Sequence, residues 1–473
     1  MQLREENMNN NNFDLVVIGS GPGGYVAAIR ASQLGMNVAV VEQDRVGGVC
    51  LNWGCIPTKA LLRSAEIFHI IQRREEFGIT ADNISFDFQK IVRRSRRVAD
   101  RLSKGVAFLF RKNNITTFSG AGKLISSGEV AVIDENGNAT ATLKTKNILI
   151  ATGARPRSIP NIKIDGKKVI SSKEALVLEE VPESMIVIGA GAIGIEFAHF
   201  YSTLGCNVTI VEMLPHILPI EDIEITDILS KSFKKRKVSI FTNNMVRGVT
   251  TTGTGVSVTI STEKTETNLE AELALMAIGV QGNYEGLGLE QLNIKVEKGW
   301  INVNNVYQTN IKNVYAIGDI IGPPWLAHVA SAEGIYVVEK MAGLDSKPID
   351  YDSIPGCTYC QPQVASIGLT EEKALEKGYS LKIGRFPFQA NGKSIALGEN
   401  QGMVKLIFEA QSEILLGAHI IHAEATELIG ELSVVKHSNI TGHNLVKTIH
   451  AHPTLSETIM EAAAVAYEEA VHI

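Results

Sequence analysis

Two stretches of this chain repeat one another in type and in register. "FDLVVIGSGPGGYVAAIRASQLGMNVAVVEQD" carries an apolar strand (residues 14–18) into Gly19, Gly21 and Gly24, continues as a helix and reaches a second strand ending at Glu42. "SMIVIGAGAIGIEFAHFYSTLGCNVTIVEML" does the same with Gly189, Gly191, Gly194 and Glu212, and in both the acid stands 23 residues after the first glycine. In such a unit the first glycine makes a tight turn, the second lets backbone approach a pyrophosphate, and the third lets the helix pack on the strand. The helix N-terminus then faces the phosphates, and the acid reaches a ribose hydroxyl. Glycine turns alone are weak signals; the strand before, the helix after and the acid on the next strand make both stretches dinucleotide sites.

Two dinucleotides in one chain most simply exchange electrons, which points to a flavin and a nicotinamide. At the second site a carboxylate at Glu212 would repel a 2′-phosphate, and no arginine follows closely to replace it, so NAD is favoured. "ILIATGARPR" (148–157) and "TNIKNVYAIGDI" (309–320) are each a short apolar strand ending in a small-residue turn. By pattern they are compatible with ordinary buried strands, although Asp319 after Gly318 is placed to meet a polyol hydroxyl.

The bulk properties exclude several other classes. With 473 residues, 45% hydrophobic and 20% charged, the chain can build roughly two to four domains with substantial cores. A net charge of −6 and a pI near 6.1 give no general attraction to nucleic acid or anionic membrane. No apolar run approaches the ~18 residues of a spanning helix. The start, "MQLREENMNNNN", lacks signal and transit features and reads as a disordered lead-in (1–12) to a cytoplasmic protein. Five cysteines, at 50, 55, 206, 357 and 360, are too few and scattered for a disulfide framework, so a bond between any two points to catalysis.

Cys50 and Cys55 stand five apart in "GGVCLNWGCIPTKALL" (47–62), which otherwise reads as the start of an apolar helix. In a regular helix they would be turned about 140° from one another, so a bond requires a distorted first turn, which Asn52, Gly54 and Pro57 permit. Two buried small hydrophobes are the alternative, but redox thiols characteristically sit at helix N-termini.

These cysteines, both fingerprints, the "ATGARPR" and "YAIGD" turns and "HAHPTLSE" (450–457) together resemble the class I pyridine nucleotide-disulfide oxidoreductases, the flavin-linked disulfide oxidoreductases, from about residue 13 to the C-terminus. The resemblance implies an α/β fold with two Rossmann-like dinucleotide-binding domains and a C-terminal α+β dimerisation domain. The implied order is an FAD-binding domain (13–157), an NAD-binding domain (158–280), a second FAD/central part (281–350) and an interface domain (351–473). It further implies oxidation of protein-bound dihydrolipoamide, with the lipoyl and subunit-binding domains of an E2 acyltransferase as partners of a homodimer. Cys55 would lie against the flavin and Cys50 would exchange with the lipoyl sulfurs. Lys59 would sit near the flavin N5, paired with Glu196. Gly122, Thr152, Gly153, Asp319, Ala327 and His328 would complete the FAD site, and Gly279 would line the NAD site. His452 would be the acid/base, preferred to His450 because it immediately precedes proline, and Glu457 would orient it. Against that last role, "TLSE" is also a capping box before an apolar helix, and spacing alone leaves the two roles of Glu457 open.

Trp53 stands where the resembled family usually has a small aliphatic residue, and "VQGN" (280–283) where it commonly has an arginine-containing run; neither is expected to touch the chemistry. "GCTYCQPQVASIGLT" (356–370) contains a CxxC without a second Cys/His pair, reads as strand, and is taken as structural, with no metal expected. The basic runs "VRRSRRVADR" (92–101) and "KKRK" (234–237) have no interleaved aromatics and read as solvated helix faces. From Glu212 follows a preference for NAD over NADP by orders of magnitude in kcat/KM; steady-state rates with each nucleotide check it, and equal values would refute it.

Overall fold

A computed structural model describes residues 12–473. Residues 1–11 of the expected lead-in lie outside the described residues, and Asn12 already belongs to a strand, paired with Lys144. The chain forms two compact units, the first from residues up to 60, 90–157 and 280–349, the second from 61–89, 158–279 and 350–473.

The first unit is built on β1 (Asn12–Ile18), α1 (Pro22–Gln33), β2 (Val38–Glu42), α2 (Gly48–Trp53), the start of α3 (Cys55–Gln72), α4 (Phe88–Lys112), β3 (Thr116–Ser119), β4 (Ala121–Ser126), β5 (Glu129–Ile133) and β6 (Ala139–Ile150). Its sheet runs β3-β2-β1-β6-β5-β4, and Val314–Ala316 pairs in parallel with the end of β6. β1 lies parallel to β2 and β6, so it is buried on both faces. Val16 and Ile18 enter one core with Ala39 and Val41, while Leu15 and Val17 enter another with Ala27, Ala28 and Ala31 of α1. A strand covered on both faces needs a continuous apolar run, and "LVVI" (15–18) supplies one.

The second unit repeats the parallel plan, with strands 239–241, 207–211, 184–188, 273–276 and 169–170 in that order. A three-stranded antiparallel sheet (245–271) follows the second crossover in sequence. The C-terminal third is a five-stranded antiparallel sheet of 355–358, 363–368, 415–422, 403–409 and 381–387, packed with helices Ala425–His437 and Glu457–Ala466 around one apolar core. "GCTYCQPQVASIGLT" is therefore not one strand. Cys357 lies in the first strand of a hairpin and Cys360 in its turn, where the buried thiol donates to Pro362 O at 3.0 Å. Cys206 is buried, and burial pushes its thiol up to about 12, as suits a core residue. Among the described residues no helix is long and apolar enough to cross a membrane.

One ionic cluster in this unit is centred on a buried lysine. The Lys405 side chain is 0% exposed and its Nζ meets Asp222 (2.8 Å), Glu224 (2.6 Å) and Glu371 (2.7 Å), and Arg385 also binds Glu224 and Glu371. Arg385 and then Lys405 outweigh burial and pull the Glu224 carboxyl down to about 2. Removing Lys405 leaves the buried Asp222 carboxylate without its cation, while Glu224 and Glu371 keep Arg385, so Lys405→Ala should destabilise this unit by about 3 kcal/mol. A urea titration followed by circular dichroism checks it. Because the folded-state pKa of Glu224 is depressed, its contribution is fully present above about 4.5 and should vanish as pH falls from there through about 2.

Candidate active site

The two fingerprints fold into superposable local geometry. A Cβ on Gly24 would lie 2.0 Å from Gly19 O, and one on Gly194 would lie 2.1 Å from Gly189 O, so only hydrogen fits where helix meets strand. A Cβ on Gly21 or Gly191 would meet nothing within 4 Å. These open positions are the N-caps of α1 and of helix Ala192–Thr203, neither of which has a side-chain cap, so the N–H groups of the first turn remain available to phosphate oxygens. Glu42 accepts from Ser20 N (2.8 Å), Ser20 Oγ (2.6 Å) and Asp44 N (3.0 Å). Glu212 accepts from Ala190 N (2.7 Å) and Leu214 N (2.9 Å). Each carboxylate is thus aimed by backbone amides and keeps lone pairs for a ribose diol.

The cysteine segment rests on the first of these loops. A Cβ on Gly48 would lie 2.6 Å from Gly21 Cα, and Gly47 N donates to Ser20 O (3.1 Å) and Ser20 Oγ (3.2 Å). The helix that begins at Gly48 breaks at Gly54 (φ −145°, ψ −114°), and a new one starts at Cys55. This is the distorted turn the five-residue spacing requires. Thr58 holds it, donating to Gly54 O through N (3.1 Å) and Oγ1 (2.7 Å). Both sulfurs are thiols here, with Cys50 half-buried and Cys55 exposed. The hydrogen bond between them, then burial and the charge on Cys55, push the Cys50 thiol well above its ordinary range, while Lys59 opposes the shift. Cys55 stands at the N-terminus of an 18-residue helix, the setting that favours a thiolate.

The remaining first-unit residues surround the same loops. Thr152 Oγ1 donates to Asn283 O (2.8 Å), Asn283 Nδ2 returns a bond to Thr152 O (3.0 Å), and Asn283 N donates to Gly153 O (3.0 Å). "VQGN" is thus a cross-tie on the "ATG" turn, and Asn283 was not foreseen. Gly122 packs against Ile18, where a Cβ would come within 2.7 Å. Asp319 opens a short 3-10 turn and burial pushes its carboxyl up to about 6. Ala327 and His328 begin helix Ala327–Met341, which has no side-chain cap.

In the second unit, Glu196 is buried and accepts from Tyr359 N (3.0 Å), and Gly279 has open space where a Cβ would stand. His452 Nδ1 bonds Glu457 Oε1 at 2.9 Å, while Glu457 Oε2 accepts from Thr454 N at 2.8 Å. One carboxylate therefore holds both the imidazole and the backbone of the preceding turn; the helix itself begins at Glu457 with Ser456 as its N-cap and no side-chain cap, so the capping box read from "TLSE" does not form. Burial pushes the Glu457 carboxyl up, but the bonds from Thr454 and His452 outweigh it and leave it below its ordinary value. The His452 side chain is 79% exposed, with Nε2 turned to solvent. His450 differs, since Nδ1 meets Thr448 O (3.0 Å) and Nε2 meets Glu431 (2.7 Å), which commits both nitrogens.

Comparison with known proteins now has a geometry to refer to. Residues 13–334 match the pyridine nucleotide-disulphide oxidoreductase family, and 354–463 match its dimerisation domain. The chain belongs to the pyridine nucleotide-disulphide oxidoreductases. Relatives include dihydrolipoyl dehydrogenases of Zymomonas mobilis (48% identical, covering 97% of this chain and 99% of the relative), Rhizobium etli (49%; 96% and 98%) and Bacillus subtilis (43%; 97% and 99%). Among solved structures, LpdA from Mycobacterium tuberculosis aligns with a TM-score of 0.89 at 28% identity, over 95% of this chain and 99% of that one. The flavoprotein disulfide reductase RclA of Escherichia coli, as its Cu(II) complex, aligns with 0.86 at 26%, over 97% and 99%. Members of this family use FAD and NAD, and both fingerprint cradles fit a dinucleotide through their bare backbone and amide-aimed acid.

Two basic runs need correction. In 92–101 Arg93, Arg94, Arg97 and Arg101 are exposed, with Arg94 Nη1 donating to Ala60 O (2.9 Å), but Arg96 is half-buried and its Nη1 donates to Asn52 O (2.5 Å). In 234–237 Arg236 is half-buried and donates to His199 Nδ1 (3.1 Å). Charge runs show composition, and helical phase decides which members turn inward. The cradle geometry separates two glycine substitutions. Gly21→Ala should keep the fold and lose bound flavin, whereas Gly24→Ala should disrupt folding itself; flavin absorbance per chain and circular dichroism distinguish them.

Proposed function

We infer that this chain is a dihydrolipoyl dehydrogenase, oxidising protein-bound dihydrolipoamide to lipoamide and reducing NAD+ to NADH through a Cys50–Cys55 redox pair and FAD. The observation that carries this reading is the thiol pair itself, hydrogen-bonded at a broken helix and seated through Gly48 on the first dinucleotide loop. In this reading the first cradle would hold FAD, with Asp319 and Cys55 among the residues that would meet it, and the second would hold NAD. Lys59 would lie beside the flavin and favour thiolate over thiol.

With the pair oxidised, a lipoyl thiol gives its proton to His452 Nε2, and the resulting thiolate attacks Cys50 Sγ. The Cys50–Cys55 bond breaks and Cys55 leaves as thiolate. The second lipoyl thiol then attacks the first lipoyl sulfur, the mixed disulfide to Cys50 breaks, and the thiol's proton passes to the departing Cys50 sulfur, which completes lipoamide and leaves Cys50 as a thiol. Glu457 holds the imidazole in the Nδ1–H tautomer, so Nε2 is the basic atom. FAD supplies the two-electron acceptor between the thiol pair and NAD+, which accepts a hydride.

The dimerisation domain makes the chain a homodimer. We assign His452 and the thiol pair of one active site to different subunits, because two-fold symmetry lets each copy present its exposed imidazole to the other. The lipoyl and subunit-binding domains of an E2 acyltransferase are the partners this function requires, and a cytoplasmic location suits it.

Cys55→Ser should abolish lipoamide turnover and retain FAD, since neither cradle depends on that sulfur; flavin lost from a folded variant would make the segment structural. Cys55→Ser and His452→Gln homodimers should each be nearly inactive, and activity should return when they are unfolded and refolded together. Demonstrated heterodimers without turnover would place thiols and histidine in one chain.

A further inference from the structure

The turn between the two cysteines is held by more than its own helix. Trp53 Nε1 donates to Asp44 Oδ2 at 3.0 Å, and Asp44 N in turn donates to Glu42 Oε1 at 3.0 Å. The Arg96 guanidinium lies over the Trp53 ring, 4.3 Å from its centre, and donates to Asn52 O at 2.5 Å. Asn52 Nδ2 reaches Gly48 O (3.0 Å) and Val46 O (3.2 Å). Asp100 pairs with Arg45, and Ser103 Oγ donates to Val46 O at 2.7 Å. Residues 96, 100 and 103 fall on one face of α4, so a single helix face grips the segment leading into the turn and the turn itself.

We propose that Trp53 and Arg96 are positioning residues, which hold the six residues from Cys50 to Cys55 in the conformation that lets the two sulfurs bond and thereby set the redox equilibrium of the pair. This rests on the redox reading of that pair.

The site is built at an electrostatic cost. Burial, and then Arg45, lowers the Arg96 guanidinium below its ordinary value, and its Nη2 is buried with no hydrogen-bond partner among the described residues. The charges that act most on the Cys50 thiol are those of Cys55, Lys59 and Asp319, whereas Arg96 meets the segment by its hydrogen bond to Asn52 O and its stack on Trp53. Its influence on the sulfurs therefore runs through the backbone at Asn52 and the ring at Trp53. The chain from Glu42 through Asp44 to Trp53 further ties the turn to the acid of the first cradle.

Reduction of the pair takes two electrons and two protons, breaks the sulfur–sulfur bond and leaves two thiols. A loosened turn spreads the sulfurs over more relative positions, which lowers their effective concentration and disfavours the disulfide. Trp53→Val and Arg96→Gln should each shift the equilibrium toward dithiol by about tenfold, a midpoint about 30 mV more positive for a two-electron couple. Removing only the indole's acceptor, as in Asp44→Ala, should shift it the same way by about threefold. Arg96→Lys should behave like Arg96→Gln, because a flexible ammonium cannot both stack and hold the carbonyl. Trp53→Phe should recover part of the loss.

The measurement uses the FAD-loaded full chain in oxidised and reduced dithiothreitol mixtures, with the pair counted by alkylation and mass. The thiolate-to-flavin absorbance band is followed with pH alongside it. In the braced protein the Cys50 thiol donates to Cys55, so loosening should move the appearance of that band to higher pH. Midpoint and band unchanged in both Trp53→Val and Arg96→Gln would overturn the proposal, as would full rescue by Arg96→Lys, which would make Arg96 a charge and not a brace. If Trp53→Val fails to fold, the exposed Asp44 decides, and an unshifted Asp44→Ala overturns it. A native chain that forms no Cys50–Cys55 disulfide in these mixtures would overturn the redox reading itself, an outcome distinct from variants that match a redox-active native protein.

Discussion

Backbone lies directly on backbone where the cysteine segment crosses the first nucleotide loop, and the rest of the first unit is organised to permit it. Gly48 approaches Gly21 so closely that a Cβ would stand 2.6 Å from its Cα, and Gly24 sits on the Gly19 carbonyl with even less room. Three successive layers, β1 with its turn, α1 and the start of α2, are therefore stacked through glycines. Such contacts admit no compensating rearrangement, because the atoms that would collide are main-chain atoms. Their consequence is chemical: the sulfurs are delivered to the loop that faces the dinucleotide, and a flexible tether is not needed.

The same economy explains why acids recur at fixed places. Glu42 and Glu212 are each held by the amide of the residue after the first glycine and by one two residues beyond the acid. The carboxylate thus braces its own turn before any ribose is present. Glu457 likewise satisfies a backbone donor and a histidine with its two oxygens. In each case a group suited to binding or catalysis also meets a structural need of the element that carries it. Asp319 is the exception, a half-buried carboxyl that burial pushes upward.

The nucleotide-binding plan was legible because it is local: strand, turn, helix and acid lie within about thirty residues, and glycine spacing reports backbone demands directly. The broken helix at Gly54 was legible for the same reason, since a five-residue spacing cannot form a bond within a regular helix. What failed were statements about faces and neighbours. "VRRSRRVADR" looks solvated, yet Arg96 turns onto the cysteine segment. "GCTYCQPQ" reads as strand but contains a hairpin turn. Asn283 and Ser20 gave no signal, because their value lies in carbonyls and carboxylates brought to them by other elements.

By itself the sequence determined the two dinucleotide units, the redox spacing and the histidine–carboxylate pair, all properties of short segments whose geometry follows from residue type and order. Only the tertiary structure decided that Cys50 is half-buried and Cys55 exposed, that Glu457 binds both the imidazole and the Thr454 amide, and that Trp53 lies between Asp44 and an arginine of α4. Burial and long-range hydrogen bonds depend on which distant groups share a few ångströms, and that information exists only once the chain has packed.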